Sequence, residues 1–178
     1  MAMQWMSPCA ALTRGYTLHD LTLSEPSEKK VELDAQLSFN IGETGLLCKL
    51  DDVTDISFPP EIYHVPNTMN WMLGLANVRG LLVPVVDLHI VLGIKAPKKI
   101  KNMLVILSEG DDVIGFLSDG LPRRQFLHEN DKLARLPNLP PLLQDFVFTG
   151  YSTDGNTWLT LDHKKLFDML SKKVTSIG

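Results

Sequence analysis

The chain is short of cysteine, of net charge and of long apolar runs, and each shortage removes a class of function. Two cysteines, Cys9 and Cys48, in 178 residues are too few for a disulfide framework. They fit a reducing compartment, with a single surface pair as the alternative. A net charge of −4 leaves no basic footprint, so nucleic acid is not an expected partner. No apolar run approaches the roughly 18 residues that would span a bilayer, so no membrane insertion is expected. Residues 1–12 lack a basic region ahead of an apolar core, so no signal peptide is read there and the expected location is cytoplasmic. Glycine (12) and proline (11) are at ordinary levels, which excludes collagen-like and low-complexity chains. What is present is a hydrophobic fraction of 44%, too high for a fully disordered chain. A chain of this length makes one domain, or one domain with a tail. It buries roughly 70% of its unfolded surface without staples.

Residues 1–34 read as an arm or linker, with residues 35–178 as the domain. Ser24-Glu25-Pro26-Ser27-Glu28-Lys29-Lys30 is polar and proline-bearing. From Gln36 the pattern alternates in the manner of a half-buried strand, and Gly42-Glu43-Thr44-Gly45 reads as a four-residue hairpin loop before a second strand. Phe58 to Pro66 reads as a proline-rich connection. Leu81 to Val86 is a β-branched run in which Pro84, unable to donate to a ladder, argues for an edge position or a bulge. Leu88 to Leu92 reads as a short helix capped by Asp87 and stopped by Gly93. Two further strands flank Glu109-Gly110-Asp111-Asp112. Residues 122–146 read as irregular, apart from a turn of helix at Pro141 to Asp145. Asp154-Gly155-Asn156 is a hairpin signal, and Asp162 caps a final amphipathic helix. Many short strands with small helices favour an all-β barrel or sandwich.

No constellation for catalysis emerges. The five histidines are scattered, neither cysteine sits in a Cys-x-x-Cys pair, and no phosphate loop or nucleophile elbow is present. Asp51, Asp52, Asp55, Asp111 and Asp112 cluster at turns, where aspartate bonds its own backbone. The expectation is a protein that is not an enzyme and uses neither cofactor nor metal.

One window is specific. Gly74-x-x-Asn77-x-Arg79-Gly80, followed by Pro84-Val85-x-Asp87-Leu88, resembles the signature of CheW-like domains, the adaptors of bacterial chemotaxis arrays. Phe39-x-Ile41-Gly42, Val53-Thr54-Asp55-Ile56, Val113 to Asp119 and Gly150-Tyr151 to Leu161-Asp162 agree with it, so the resemblance covers about residues 35–172. Trp71-x-x-Gly74-x-Ala76-Asn77-Val78-Arg79-Gly80 is most similar to the PilI-type adaptors of type IV pilus twitching motility. The resemblance implies two five-stranded β-barrels around a shared core, with a C-terminal helix. It implies a non-catalytic cytoplasmic scaffold, recruited to membrane-associated arrays, that couples the cytoplasmic tip of a chemoreceptor to the regulatory domain of a CheA-type histidine kinase. A flagellar chemotaxis adaptor, or a small-ligand sensor on the same fold, are the alternatives.

By the same resemblance the partner-binding positions are Val53, Asp55, Gly74, Asn77, Arg79 and Gly80, while Trp71, Pro84, Asp87, Leu88 and Asp119 carry the structural motif. Gly74, with no side chain, would let a partner helix approach closely. Arg79 would offer a planar fork of donors to a carboxylate or carbonyl. Against these stand plainer readings. Gly74 would mark a bulge or tight packing. Arg79 would be a solvated turn residue or bind an internal carboxylate, and Asn77 and Gly80 would be turn architecture. Asp87 would be a helix cap, and Trp71 a core residue. Position 55 is Asp where the family often has Glu, so its side chain reaches less far.

Overall fold

The computed structural model describes residues 35–97, 102–153 and 155–175. The sequence readings for residues 1–34, Cys9 included, lie outside the described residues. Eleven strands form two sheets. The first has β1 (Gln36–Ile41), β2 (Thr44–Lys49), β9 (Arg123–Gln125), β10 (Val147–Thr153) and β11 (Asn156–Leu161), in the order β10-β11-β2-β1-β9. The second has β3 (Val53–Ser57), β4 (Ile62–Tyr63), β5 (Met72–Val78), β6 (Leu81–Val86), β7 (Asn102–Glu109) and β8 (Asp112–Asp119), in the order β3-β7-β8-β6-β5-β4. Three α-helices, α1 (Leu88–Leu92), α2 (Pro141–Gln144) and α3 (His163–Thr175), and two short 3-10 turns, Leu50–Asp52 and Glu129–Asp131, complete the described fold.

The mostly β architecture with small helices agrees with the sequence reading, and several local expectations change. The second sheet has six strands rather than five, because Ile62 and Tyr63 inside the proline-rich connection pair with Ala76 and Leu75. Two residues carry no readable periodicity, and β9 was missed in residues 122–146 for the same reason. The first hairpin is tighter than a four-residue loop: Ile41 pairs with Thr44, so only Gly42 and Glu43 turn the chain. Gly45 lies in β2, where a Cβ would meet the Trp158 ring at 2.7 Å.

Pro84 sits on no edge. Strand β6 lies between β5 and β8, but its parallel pairing with β8 covers only Val85 and Val86. At Pro84 the strand is paired on the β5 side alone, opposite Leu75, so the missing N–H breaks no bond to β8. The bulge is in the facing strand, between Met72 and Gly74.

The two sheets share a core. Leu37, Phe39, Ile41, Leu46 and Cys48 of the first meet Val86, Val105, Leu107 and Phe116 of the second. The Phe39 and Phe116 rings lie 4.9 Å apart between centroids, a tilted pair contributing on the order of 1 kcal/mol beyond area burial. The six-stranded sheet also wraps a second, smaller core of Ala76, Val83, Val85, Leu104 and Ile106. Along β7 successive residues therefore alternate between two buried faces: Leu104 and Ile106 to the small core, Val105 and Leu107 to the large one. That explains why the segment reads as a continuous apolar run rather than an alternating one.

The ends of the small helices follow the sequence signals. Asp87 Oδ1 accepts from His89 N at 2.9 Å, and Gly93 closes α1 with φ +67°. Asp162 Oδ1 accepts from Lys165 N at 3.0 Å at the start of α3. An Asp162→Ala variant is expected to lose about 1 kcal/mol of unfolding free energy, read as a lowered urea midpoint at unchanged m-value.

Candidate functional site

The turn between β5 and β6 is Arg79-Gly80, flanked by the Val78–Leu81 pair. Both residues have positive φ, +52° and +87°, the backbone that a two-residue hairpin of native twist requires. Glycine adopts it freely, whereas arginine does so at a cost of roughly 1–2 kcal/mol. Asn77 Oδ1 accepts from Gly80 N at 2.9 Å and holds the turn. Asn77 and Gly80 are thus turn architecture, and what they present is Arg79, whose side chain is 82% exposed.

Arg79 meets Asp55. Its Nη2 lies 3.4 Å from Asp55 Oδ1, which also accepts from the Ile56 amide at 2.9 Å. Asp55 is on β3, at the far edge from the hairpin, and three strand spacings, roughly 14 Å in a flat sheet, separate β3 from β6. A direct ion pair across that gap requires the sheet to curl around its small core, so barrel-like curvature creates the pair. The Asp55 carboxylate is 15% exposed, and its Oδ2 is buried without a hydrogen-bond partner.

The other expected contact positions go elsewhere. Gly74 is buried with φ +144°, and a Cβ there would lie 2.7 Å from the Tyr63 carbonyl carbon and closer still to its oxygen. The backbone of β4 therefore packs directly against Gly74, in the space a side chain there would fill. Val53 begins β3 half-buried and packs on the shared core. Trp71 is a core residue, 6% exposed. Leu81 and Leu82, the first residues of β6, are exposed, as is Phe58 directly after β3, none of which the sequence singled out.

The motif residues Asp87 and Asp119 come together through a residue the sequence reading passed over. His89 places Nδ1 3.0 Å from Asp87 Oδ1 and Nε2 2.7 Å from Asp119 Oδ2. Asp119 Oδ2 also accepts from the Gly42 amide in the first sheet. A His two residues after a helix-capping Asp was the only local signal; the Asp119 partner is 30 positions away. A second histidine, His163, faces Glu109 Oε2 at 3.1 Å and Asp52 Oδ2 at 3.5 Å, at ion-pair distance but outside hydrogen-bond geometry. It ties the start of α3 to the turn before β3.

Among the described residues no group of three or more His, Cys, Asp or Glu is arranged to hold a metal ion. Among them also, no helix is long and apolar enough to cross a membrane. Clefts open to solvent among the described residues include a polar one of about 540 Å³ beside Ser38, Arg123 and Trp158, and an apolar one of about 410 Å³ between Trp71, Pro84, Phe167 and Leu170. Burial pushes the Cys48 thiol from 9.0 up to about 12, with the Asp52 charge adding to it. The folded state therefore holds that proton more tightly than the unfolded one. Its contribution to stability is complete below about pH 9 and is lost as the pH rises toward 12. In a Cys9→Ser variant at pH 8, Cys48 is expected to react with an aromatic disulfide reagent only after denaturant is added; rapid labelling of that native variant would contradict the burial.

Comparison with known proteins agrees with this architecture. The chain is similar to the chemotaxis protein CheW of Thermotoga maritima, 27% identical over 137 residues, which span 77% of this chain and 89% of that protein. It is equally similar to protein PilI of Pseudomonas aeruginosa, 27% over 121 residues, 67% and 68% of the two chains. The crystal structure of the scaffolding protein TtCheW from Thermoanaerobacter tengcongensis shares the fold, with a TM-score of 0.63 at 22% identity over 72% of this chain and 83% of that one. With the two sheets, the shared core and the Asn77–Gly80 hairpin in place, and with residues 36–171 matching the CheW-like domain throughout, the chain belongs to the CheW-like domain family.

Proposed function

We propose that this chain is a non-catalytic adaptor that couples the cytoplasmic tip of a methyl-accepting chemoreceptor to the regulatory domain of a CheA-type histidine kinase. The observation that carries the reading is Arg79: an exposed arginine held at positive φ by Asn77 and Gly80 and steadied from one side by Asp55. Strain of that kind persists where the surroundings over-determine it, and such places concentrate at ligand clamps and switches. Asp55 and Arg79 form the polar centre of the receptor-facing surface, and Leu81, directly after the Arg79-Gly80 turn, adds exposed apolar area beside it. Asn77 and Gly80 present the arginine, Val53 anchors β3, and Gly74 acts indirectly by seating β4. Residues 35–178 carry this activity as one domain, with residues 1–34 as an arm. The adaptor works in the cytoplasm, held at membrane-associated arrays by its partners.

The pathway we favour is the type IV pilus system, on the likeness of the Trp71–Gly80 window to PilI-type adaptors. Deletion in the source organism is the test. Loss of twitching with swimming intact supports the pilus assignment, and the reverse supports a flagellar one. For the adaptor role itself, a cross-linking pull-down from the source cells should recover both a receptor and a kinase with the wild-type chain. Recovery of neither would sink the reading.

A further inference from the structure

The polar bridge Asp87–His89–Asp119–Gly42 stands where the two sheets meet among apolar side chains. Ile41, Leu88 and Leu92 beside it are fully or almost fully buried. Apolar contacts are non-directional and resist sliding poorly, whereas hydrogen bonds fix angle as well as distance. The bridge begins at Asp87, the residue directly after β6, whose other end carries the Arg79 hairpin. It passes through the His89 ring, with each nitrogen facing one carboxylate oxygen. It ends at Asp119, at the last position of β8, and at the Gly42 amide between β1 and β2. The Asp119 carboxylate is 3% exposed and the His89 side chain 14%. The backbone around Gly42 closes the same junction, since a Cβ there would meet the Lys95 carbonyl oxygen at 2.6 Å and the Ile94 side chain at 2.9 Å.

We propose that His89 is a positioning residue that holds the two sheets in one fixed relation, so that signal coupling, and not receptor binding, depends on it. This rests on the adaptor reading above. An adaptor that binds two partners transmits their relative placement only as far as its own halves stay registered, and buried polar groups are best attested in such a registering role.

The test uses the full chain with a receptor cytoplasmic fragment and the kinase, in wild type, His89→Ala and His89→Arg. A guanidinium offers donors on two edges and so replaces the ring toward both carboxylates. His89→Ala is expected to bind the receptor fragment within about twofold of wild type and to lower receptor control of kinase activity about tenfold, with His89→Arg restoring it. Exchange of the Gly42 amide, followed by NMR, should be slow in wild type and His89→Arg and fast in His89→Ala. Wild-type coupling in His89→Ala, or a loss of receptor affinity as large as that of Arg79→Glu, overturns the proposal; so does slow Gly42 exchange in His89→Ala. If the wild-type chain couples nothing, the adaptor reading has failed, and Gly42 exchange alone then decides whether His89 positions the sheets.

Discussion

Arg79→Glu is expected to abolish most receptor binding while leaving the fold in place. The side chain is 82% exposed, so the substitution removes no apolar packing, only the ion pair to Asp55. It places a second carboxylate beside Asp55 and reverses the charge presented to the partner. Affinity for a receptor cytoplasmic fragment, measured by calorimetry, should fall by about 30- to 100-fold, about 2–3 kcal/mol, the range found when a central charged contact is removed or opposed. The control that separates recognition from folding is Arg79→Gly. Glycine relieves the φ of +52°, so Tm should hold or rise slightly while binding is still lost. Wild-type affinity in either variant would remove Arg79 from the interface.

Gly74→Ala should be the most destabilising single methyl addition in the domain. A Cβ at this position would overlap the Tyr63 carbonyl, and φ +144° lies where side chains are rarely tolerated. Backbone rather than a flexible side chain is in the way, so relief requires β4 to leave the sheet edge or β5 to change its bulge. We expect a loss of about 3 kcal/mol or more, combining steric overlap with backbone strain. It should appear as a large drop in the urea midpoint, with Tyr63 and His64 losing amide protection first. Receptor binding by the folded fraction should survive. A variant of wild-type stability that cannot bind would instead make Gly74 a direct contact, as its place in the motif first implied.

The comparison of Gly74 with Arg79 shows what motif spacing conveys. Both stand in one seven-residue window and both were expected on the partner surface. The window specified residue types, and it did so correctly, because a turn needing positive φ and a strand needing a missing Cβ each leave a mark at a fixed offset. It could not specify which way each residue faces. That depends on β4, a strand of two residues too short to carry a period, whose backbone packs against Gly74. Pro84 is a similar case. The missing donor correctly signalled a break in pairing, but the break is a ladder that begins one residue later, and an edge and a late start look alike in one dimension.

Helix caps, hairpin turns, the buried β7 run and the family itself were legible because their causes lie within a few residues: a side chain accepting from the next turn, a glycine freeing φ, an apolar run with two faces to fill. The Asp55–Arg79 pair and the Asp87–His89–Asp119–Gly42 bridge were not, since their members are 24, 30 and 77 residues apart and meet only because the second sheet curls and packs against the first. Sequence alone determined what each residue offers as donor, acceptor, volume and backbone freedom. Tertiary structure decided which of those offers is taken up inside the chain, as at Gly74 and Asp119, and which stays largely exposed, as at Arg79, because burial and strand order are properties of the whole sheet and not of any local window.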